Sequence, residues 1–373
     1  MFLRCSVQVG LLLSVSLVTL ACGGGTHHGV PSGPPVTTDA TYEVSESPVV
    51  FTSGGREIPG TLVSPVGAGP WPAVLLLAGS GPTDRDWTNP MLPGTNGSAR
   101  LLAEALARRG VVVLRFDKAG SGENPGPPLA EWTLDTYRDE AHAALSLLRE
   151  RVDVRRDQVF VAGHSEGGIH ATRLAQVAGG EIAAVLYLSA VSRSMADTML
   201  TQIEGNLRSP MANLPEEVVE AELASLRHAL SALLAGEPVD PLEASTIPQI
   251  QALVASLLNP DTLALTRGLL GFDNAREAAL LEVPLFVLNG GKDIQVDADL
   301  DGRHLVDALT QSGREVTSYV APDADHVLKH QPLTMAELRA DLVAVQVGYN
   351  GEGRSIDPLA LAAIVEFLVT HTP

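Results

Sequence analysis

The sequence predicts an α/β fold, and three observations carry that prediction. Continuous apolar runs of strand length alternate with longer runs whose apolar residues recur at helical spacing. Several of the apolar runs end in loops rich in Gly, Ser or Asp, the punctuation expected where a buried strand leaves a sheet. The chain of 373 residues is 45% hydrophobic and 18% charged, which is enough apolar material for a sizeable core.

The chain opens on a processing segment. Arg4 supplies a positive start, residues 11–20 form an apolar core broken only by small hydroxyl residues, and Leu20-Ala21-Cys22-Gly23 follows. Residues 1–21 are expected to be a signal peptide, because the run is short for a membrane span. The pattern resembles a bacterial lipoprotein signal, with Cys22 as the lipidated first residue of the mature chain. An ordinary secretory signal ending near Ala21 is the rival reading. The first puts an exported protein on the cell envelope, touching membrane only through its lipid. The second makes it periplasmic or secreted and soluble. Cys5 and Cys22 are the two cysteines, so the mature body has no disulfide and no cysteine nucleophile. Residues 22–40 are rich in Gly, Pro, Ser and Thr and read as a flexible tether, with His27-His28 as part of it rather than a metal site.

The folded domain is expected over residues 41–373. Residues 42–52 and 60–65 look like a β-hairpin. Residues 73–78 form a buried strand that ends in Gly79-Ser80-Gly81-Pro82. Residues 100–109 suit a helix closed by Gly110, and 111–116 make the next strand, ending at Asp117. Thr133 can cap a helix in which Leu134, Tyr137, Ala141, Leu145 and Leu148 recur at helical spacing. Buried-type strands follow at 159–162, 182–188, 284–288 and 315–320, and Asp357-Pro358 opens the last helix. The interval 192–282 contains no convincing strand. Its stripe Val219, Leu223, Leu226, Leu230 and Leu233 predicts a helix packed on the body or covering a site as a cap.

The chemistry centres on Gly163-His164-Ser165-Glu166-Gly167, which lies between a strand and a helix-compatible run. That is the setting in which G-x-S-x-G becomes a nucleophile elbow. A serine hydroxyl needs a base to take its proton and a carboxylate to orient that base, in the chain order Ser, acid, His. Asp293, in Asn289-Gly290-Gly291-Lys292-Asp293, is the acid candidate, and Asp297 and Asp299 read better as starters of the next helix. His326, in Asp323-Ala324-Asp325-His326, is the base candidate, and His330 is its competitor. A His326–His330 metal pair lacks the Glu of H-E-x-x-H. The backbone N–H groups of Glu166 and Ser80 are the oxyanion donors chosen, with Gly81 as the alternative. Pro125 stands where a third glycine would complete a dinucleotide motif from Gly120, and Gly290-Gly291-Lys292 is no P-loop. No cofactor or metal is required. A net charge of -19 argues against a nucleic-acid partner and against adsorption to anionic lipid. The charges of Thr83-Asp84-Arg85-Asp86-Trp87 are read as bracing their loop by Asp–Arg pairing, with a place in the lining of the acyl or leaving-group pocket as the alternative.

Five segments together resemble an α/β-hydrolase of the bacterial esterase and serine-aminopeptidase-like group. They are 77–86, 115–122, 163–168, 289–293 and Asp325-His326. The resemblance implies a mostly parallel central sheet with helices on both faces and a helical cap inserted at about 192–282. It also implies a Ser165, Asp293, His326 triad with Ser80 and Glu166 at the oxyanion. Ala119 departs from the pattern, since many relatives carry an arginine there that braces the neighbouring loop. The expected activity is hydrolysis of small-molecule carboxylic esters through an acyl-enzyme. An aminopeptidase or thioesterase with the same triad is the alternative, and an inactive surface-anchored binding protein is a third reading. An aminopeptidase would hold its substrate ammonium with cap acids such as Glu204, Glu216, Glu217 and Glu220.

Overall fold

The computed structural model describes residues 33–209 and 212–372. The expected signal peptide, Cys22 and the first part of the expected tether lie outside the described residues.

Eight strands form one sheet in the order β1-β2-β4-β3-β5-β6-β7-β8. The hairpin β1 (Val44–Ser53) and β2 (Arg56–Pro65) is antiparallel, turning at Gly54 and Gly55, whose φ values of 54° and 75° suit glycine. β2 also pairs antiparallel with β4 (Val112–Phe116), and all later pairings are parallel. β3 (Trp71–Leu77) shows the period of two that builds a two-faced core. Ala73, Leu75 and Leu77 pack on one face, Val74, Leu76 and Ala78 on the other. The first face is covered by α2 (Leu134–Glu150), α3 (Gly167–Ala178) and α10 (Arg303–Gln311), the second by α1 (Ser98–Ala107) and α13 (Pro358–Thr370). The expected caps hold: the Thr133 hydroxyl accepts from Asp135 N–H, and Asp357 accepts from Leu359 and Ala360.

β5 (Val154–His164) and β6 (Val185–Leu188) lie at the centre of the sheet, followed by β7 (Leu285–Gly290) and β8 (Val316–Ala321). β8 was expected to be buried. It is the edge strand, and most of its side chains are exposed. Between β6 and β7 the chain is helical, from α4 (Met195–Leu207) and α5 (Glu216–Ala235) through the short α6 (Pro241–Ala244) and α7 (Pro248–Leu257) to α8 (Leu263–Gly271) and α9 (Asn274–Ala278). The α5 stripe is buried along its whole length in a core shared with α4, α6, α7 and α8, so these helices cohere through their own apolar cluster. Two helices had no counterpart in the sequence reading, α11 (Met335–Ala340) and α12 (Leu342–Gly348).

Residues 33–40 correct the tether expectation. Val36 is buried, Arg109 donates to the Thr38 carbonyl at 3.0 Å, Thr37 N–H donates to the Arg109 carbonyl at 2.9 Å, and Arg155 donates to the Pro34 carbonyl at 2.5 Å. Two body arginines thus fasten a segment whose composition alone suggests freedom.

Candidate active site

Ser165 sits on the turn from β5 into α3 with a φ of 55°, a left-handed conformation rare for a residue with a side chain. The flanking glycines make the turn possible. A Cβ on Gly163 would lie 2.2 Å from the Gly167 carbonyl oxygen, and one on Gly167 would lie 2.5 Å from that of Leu77. The Ser165 backbone is tied down, its N–H donating to Leu188 and its carbonyl accepting from Gly168. Its hydroxyl makes no hydrogen bond to His326 or any other described residue. Contacts of that kind are often long without substrate and tighten when it binds. Ser165 and His326 line one cavity of about 200 Å³, with Ser80, Trp87, His164 and Tyr349 among the other walls.

Asp293 and His326 are brought together by two post-strand loops. Gly290, at the end of β7, approaches the loop after β8 so closely that a Cβ there would lie 2.4 Å from the Ala324 carbonyl oxygen. Lys292 N–H donates to the same carbonyl at 2.9 Å. Across this junction His326 Nδ1 donates to Asp293 Oδ2 at 2.8 Å. The second Asp293 oxygen accepts the N–H groups of Gln295 and Val296 at 2.8 and 2.9 Å, so the buried carboxylate is fully engaged. Burial disfavours a charged His326, but Asp293, with Asp325 behind it, outweighs burial and holds its pKa above the ordinary histidine value. His330 takes no part: it is exposed and pairs with Asp357. Asp297 caps the turn before α10, as expected.

His164, inside the elbow, is neutral. Burial, and then the nearby His326, lower its pKa to about 3. Its Nε2 donates to the His326 carbonyl at 2.8 Å, and its ring stacks on Trp87 at 4.3 Å. Neither role was read from the sequence, because Trp87 lies in a distant loop and a histidine inside the motif carries no partner information.

The loop after β3 is held from below. The Thr83 hydroxyl donates to the Ser80 carbonyl at 2.7 Å, and Lys118 Nζ donates to the Gly81 carbonyl at 2.6 Å. The buried Glu166 carboxylate accepts from His170 Nε2 at 3.2 Å, and the nearby Ser80 side chain also favours its charged form. Burial works against that charge, yet these contacts and Lys118 bring the Glu166 pKa down to about 2. Both carbonyls of the loop are therefore occupied. Among the described residues, the N–H groups of Ser80 and Glu166 donate to no protein acceptor.

The expected bracing by Asp84, Arg85 and Asp86 is present with different partners. Arg85 reaches Asp117 at 2.5 Å and Glu123 at 2.6 Å, while Asp86 pairs with Arg115 at 3.1 Å. Where the arginine is missing at Ala119, the buried Glu140 accepts the Ala119 N–H at 2.8 Å and the Asn124 amide at 3.2 Å, and pairs with Arg56. Among the described residues no cluster of His, Cys, Asp or Glu is placed to hold a metal ion.

This sheet, elbow and loop arrangement is that of the alpha/beta hydrolase family, whose pattern matches residues 74–344, and the chain belongs to that family. It is similar to Esterase EstD of Thermotoga maritima, with 31% identity over 278 residues, 73% of this chain and 58% of the esterase. The chain thus spans somewhat over half the length of that relative. The structure also resembles the proline iminopeptidase of Mycobacterium smegmatis, with a TM-score of 0.51 and 18% identity over 87% of this chain and 99% of that one, a likeness of fold.

Proposed function

We propose that this chain is a serine hydrolase of carboxylic esters, with Ser165 as nucleophile, His326 as general base and acid, and Asp293 as the carboxylate that orients the imidazole. The observation that carries the reading is the 2.8 Å bond from His326 Nδ1 to a fully engaged Asp293 beside a strained, unpartnered Ser165 in the same cavity. With its proton on Nδ1, His326 presents Nε2 as the basic nitrogen. Ser165 Oγ adds to the ester carbonyl as Nε2 takes its proton. The oxyanion is met by the N–H groups of Ser80 and Glu166. Nε2–H then protonates the departing alkoxide, and water repeats the sequence on the acyl-enzyme.

An ester is favoured over an aminoacyl substrate by the cap. Of the four acids suited to hold an ammonium group, Glu204, Glu216 and Glu220 pair with Arg208 and Glu217 is exposed on α5, and none of them lines the Ser165 cavity. The similarity to an esterase points the same way.

Ser165→Ala is expected to lower kcat/KM on short-chain nitrophenyl esters by on the order of 10⁴-fold or more. It should also abolish labelling by a fluorophosphonate. Retained hydrolysis in the variant defeats the reading.

A further inference from the structure

A second cavity, of about 300 Å³, adjoins the Ser165 cavity. The two share Gln202 of α4 and Gln295 of the loop after β7. Gln202 Nε2 donates to the Gln295 carbonyl at 3.0 Å, so this bond between cap and body forms part of their common wall. The far side of the second cavity is formed by α11 and α12, through Met335, Arg339, Leu342 and Gln346.

Four charged residues line it, and three are already committed. Asp293 holds His326 and two backbone N–H groups. Asp297 caps the turn that follows it. Arg208 is saturated by Glu204, Glu216 and Glu220. Arg339, exposed on the last turn of α11, has no hydrogen-bond or ion-pair partner among the described residues. The remaining polar lining, Thr201, Gln202, Asn206, Ser209, Gln295 and Gln346, is uncharged. A cavity with Ile294, Met335 and Leu342 in its wall, whose one uncommitted charge is a guanidinium, is suited to a carboxylate on an apolar chain, because a guanidinium can donate two parallel hydrogen bonds to it.

We infer that the second cavity is the distal half of the substrate cleft, and that Arg339 receives a carboxylate at the end of the substrate remote from the scissile ester. This rests on the reading of Ser165 as nucleophile. It makes the substrate class a half-ester of a dicarboxylic acid or an ester of an ω-hydroxy acid, and it makes Arg339 a specificity residue with no part in the chemistry.

The test compares kcat/KM for nitrophenyl half-esters of linear diacids of increasing length with that for neutral nitrophenyl esters of equal length. A parallel series carries the carboxylate on the alcohol side. In one series the wild-type protein should prefer the anionic ester at a particular length, and Arg339→Gln should reduce that preference at least about five-fold, the size of a favourable solvent-accessible ion pair. Neutral esters cleaved with no anionic preference at any length in either series, or a preference equal in both proteins, overturns the inference and leaves the Ser165 reading intact. If no ester is cleaved, the Ser165 reading falls, and calorimetry decides this inference separately. Linear dicarboxylates should bind the wild-type protein more tightly than monocarboxylates of the same length, and Arg339→Gln should remove the difference. Equal binding in the two proteins overturns the inference.

Discussion

His326 carries a charge preference opposed to its surroundings. A buried imidazole should resist protonation, yet Asp293 and Asp325 raise its pKa above the ordinary value. A general base acts in its neutral form, so the acid limb of the kcat/KM profile should sit above about 6.5, the usual histidine value. Asp293→Asn removes the main favourable partner. The limb should then move to lower pH while kcat falls by on the order of 10⁴-fold, as the imidazole loses its orientation and tautomer. A pH profile of both proteins on one neutral ester checks this, and a limb that does not move would mean that Asp293 does not face the titrating group. Asp293 and His326 were readable in the sequence because each follows a strand end in the order the chemistry needs. The pairings of Trp87, Glu140 and Arg85 were not. Their partners His164, Ala119 and Asp117 lie 77, 21 and 32 positions away in the chain, and only the folded sheet brings them together.

Between elements, the same logic concerns how three separate pieces meet at one point. The loop after β3, the end of β4 and the start of α3 converge under Ser165, joined by Lys118, Ser80 and Glu166. Lys118 is wholly buried, and desolvation lowers its pKa despite the nearby Glu166 and Glu140. A buried cation that binds the Gly81 carbonyl fixes the Gly81–Pro82 peptide, and with the Thr83 hydroxyl on the Ser80 carbonyl it holds the loop that carries the Ser80 N–H. Lys118→Met should therefore lower kcat by about 10- to 100-fold with little change in KM, because the oxyanion contact is made only in the transition state. Affinity for a boronic acid that mimics the tetrahedral adduct should fall in parallel. A change confined to KM, or to the thermal midpoint, would assign Lys118 a merely structural role. At this scale the strands and main helices were legible, since buried strands and amphipathic helices write their periods into the chain. The edge position of β8 was not read, although Thr317 and Ser318 interrupt its apolar residues where the central strands β6 and β7 run continuously apolar at 185–188 and 285–288. α11 and α12 were missed because each spans only six or seven residues, too short for a period to show.

For the molecule as a whole, the buried titratable groups fix how stability depends on pH. His164 and His170 both have lowered pKa values, first through burial. In the unfolded chain they bind protons below about pH 6.5, while in the folded chain they resist. The unfolded state then holds more protons, so stability is fully present above about 6.5 and is lost as the pH falls, by up to about 1.4 kcal/mol per pH unit for each histidine. Glu166 adds to the loss at lower pH, between its ordinary value of 4.5 and its folded value of about 2. His326 has the opposite sign. Its raised pKa gives stability that is complete below about 6.5 and is lost as the pH rises through the folded value, so it cannot offset the acid loss. The buried carboxyls of Glu140 and Asp325, pushed up first by desolvation, work against this loss, so the histidine share is read by comparing urea unfolding of two proteins at pH 7, 6 and 5. His164→Gln, which removes one titrating ring, should reduce the slope between pH 6 and 5 by about one proton's worth, on the order of 1 kcal/mol per unit. Equal slopes in the two proteins would show that His164 is as readily protonated in the fold as outside it, against its stacking on Trp87 and its bond to the His326 carbonyl.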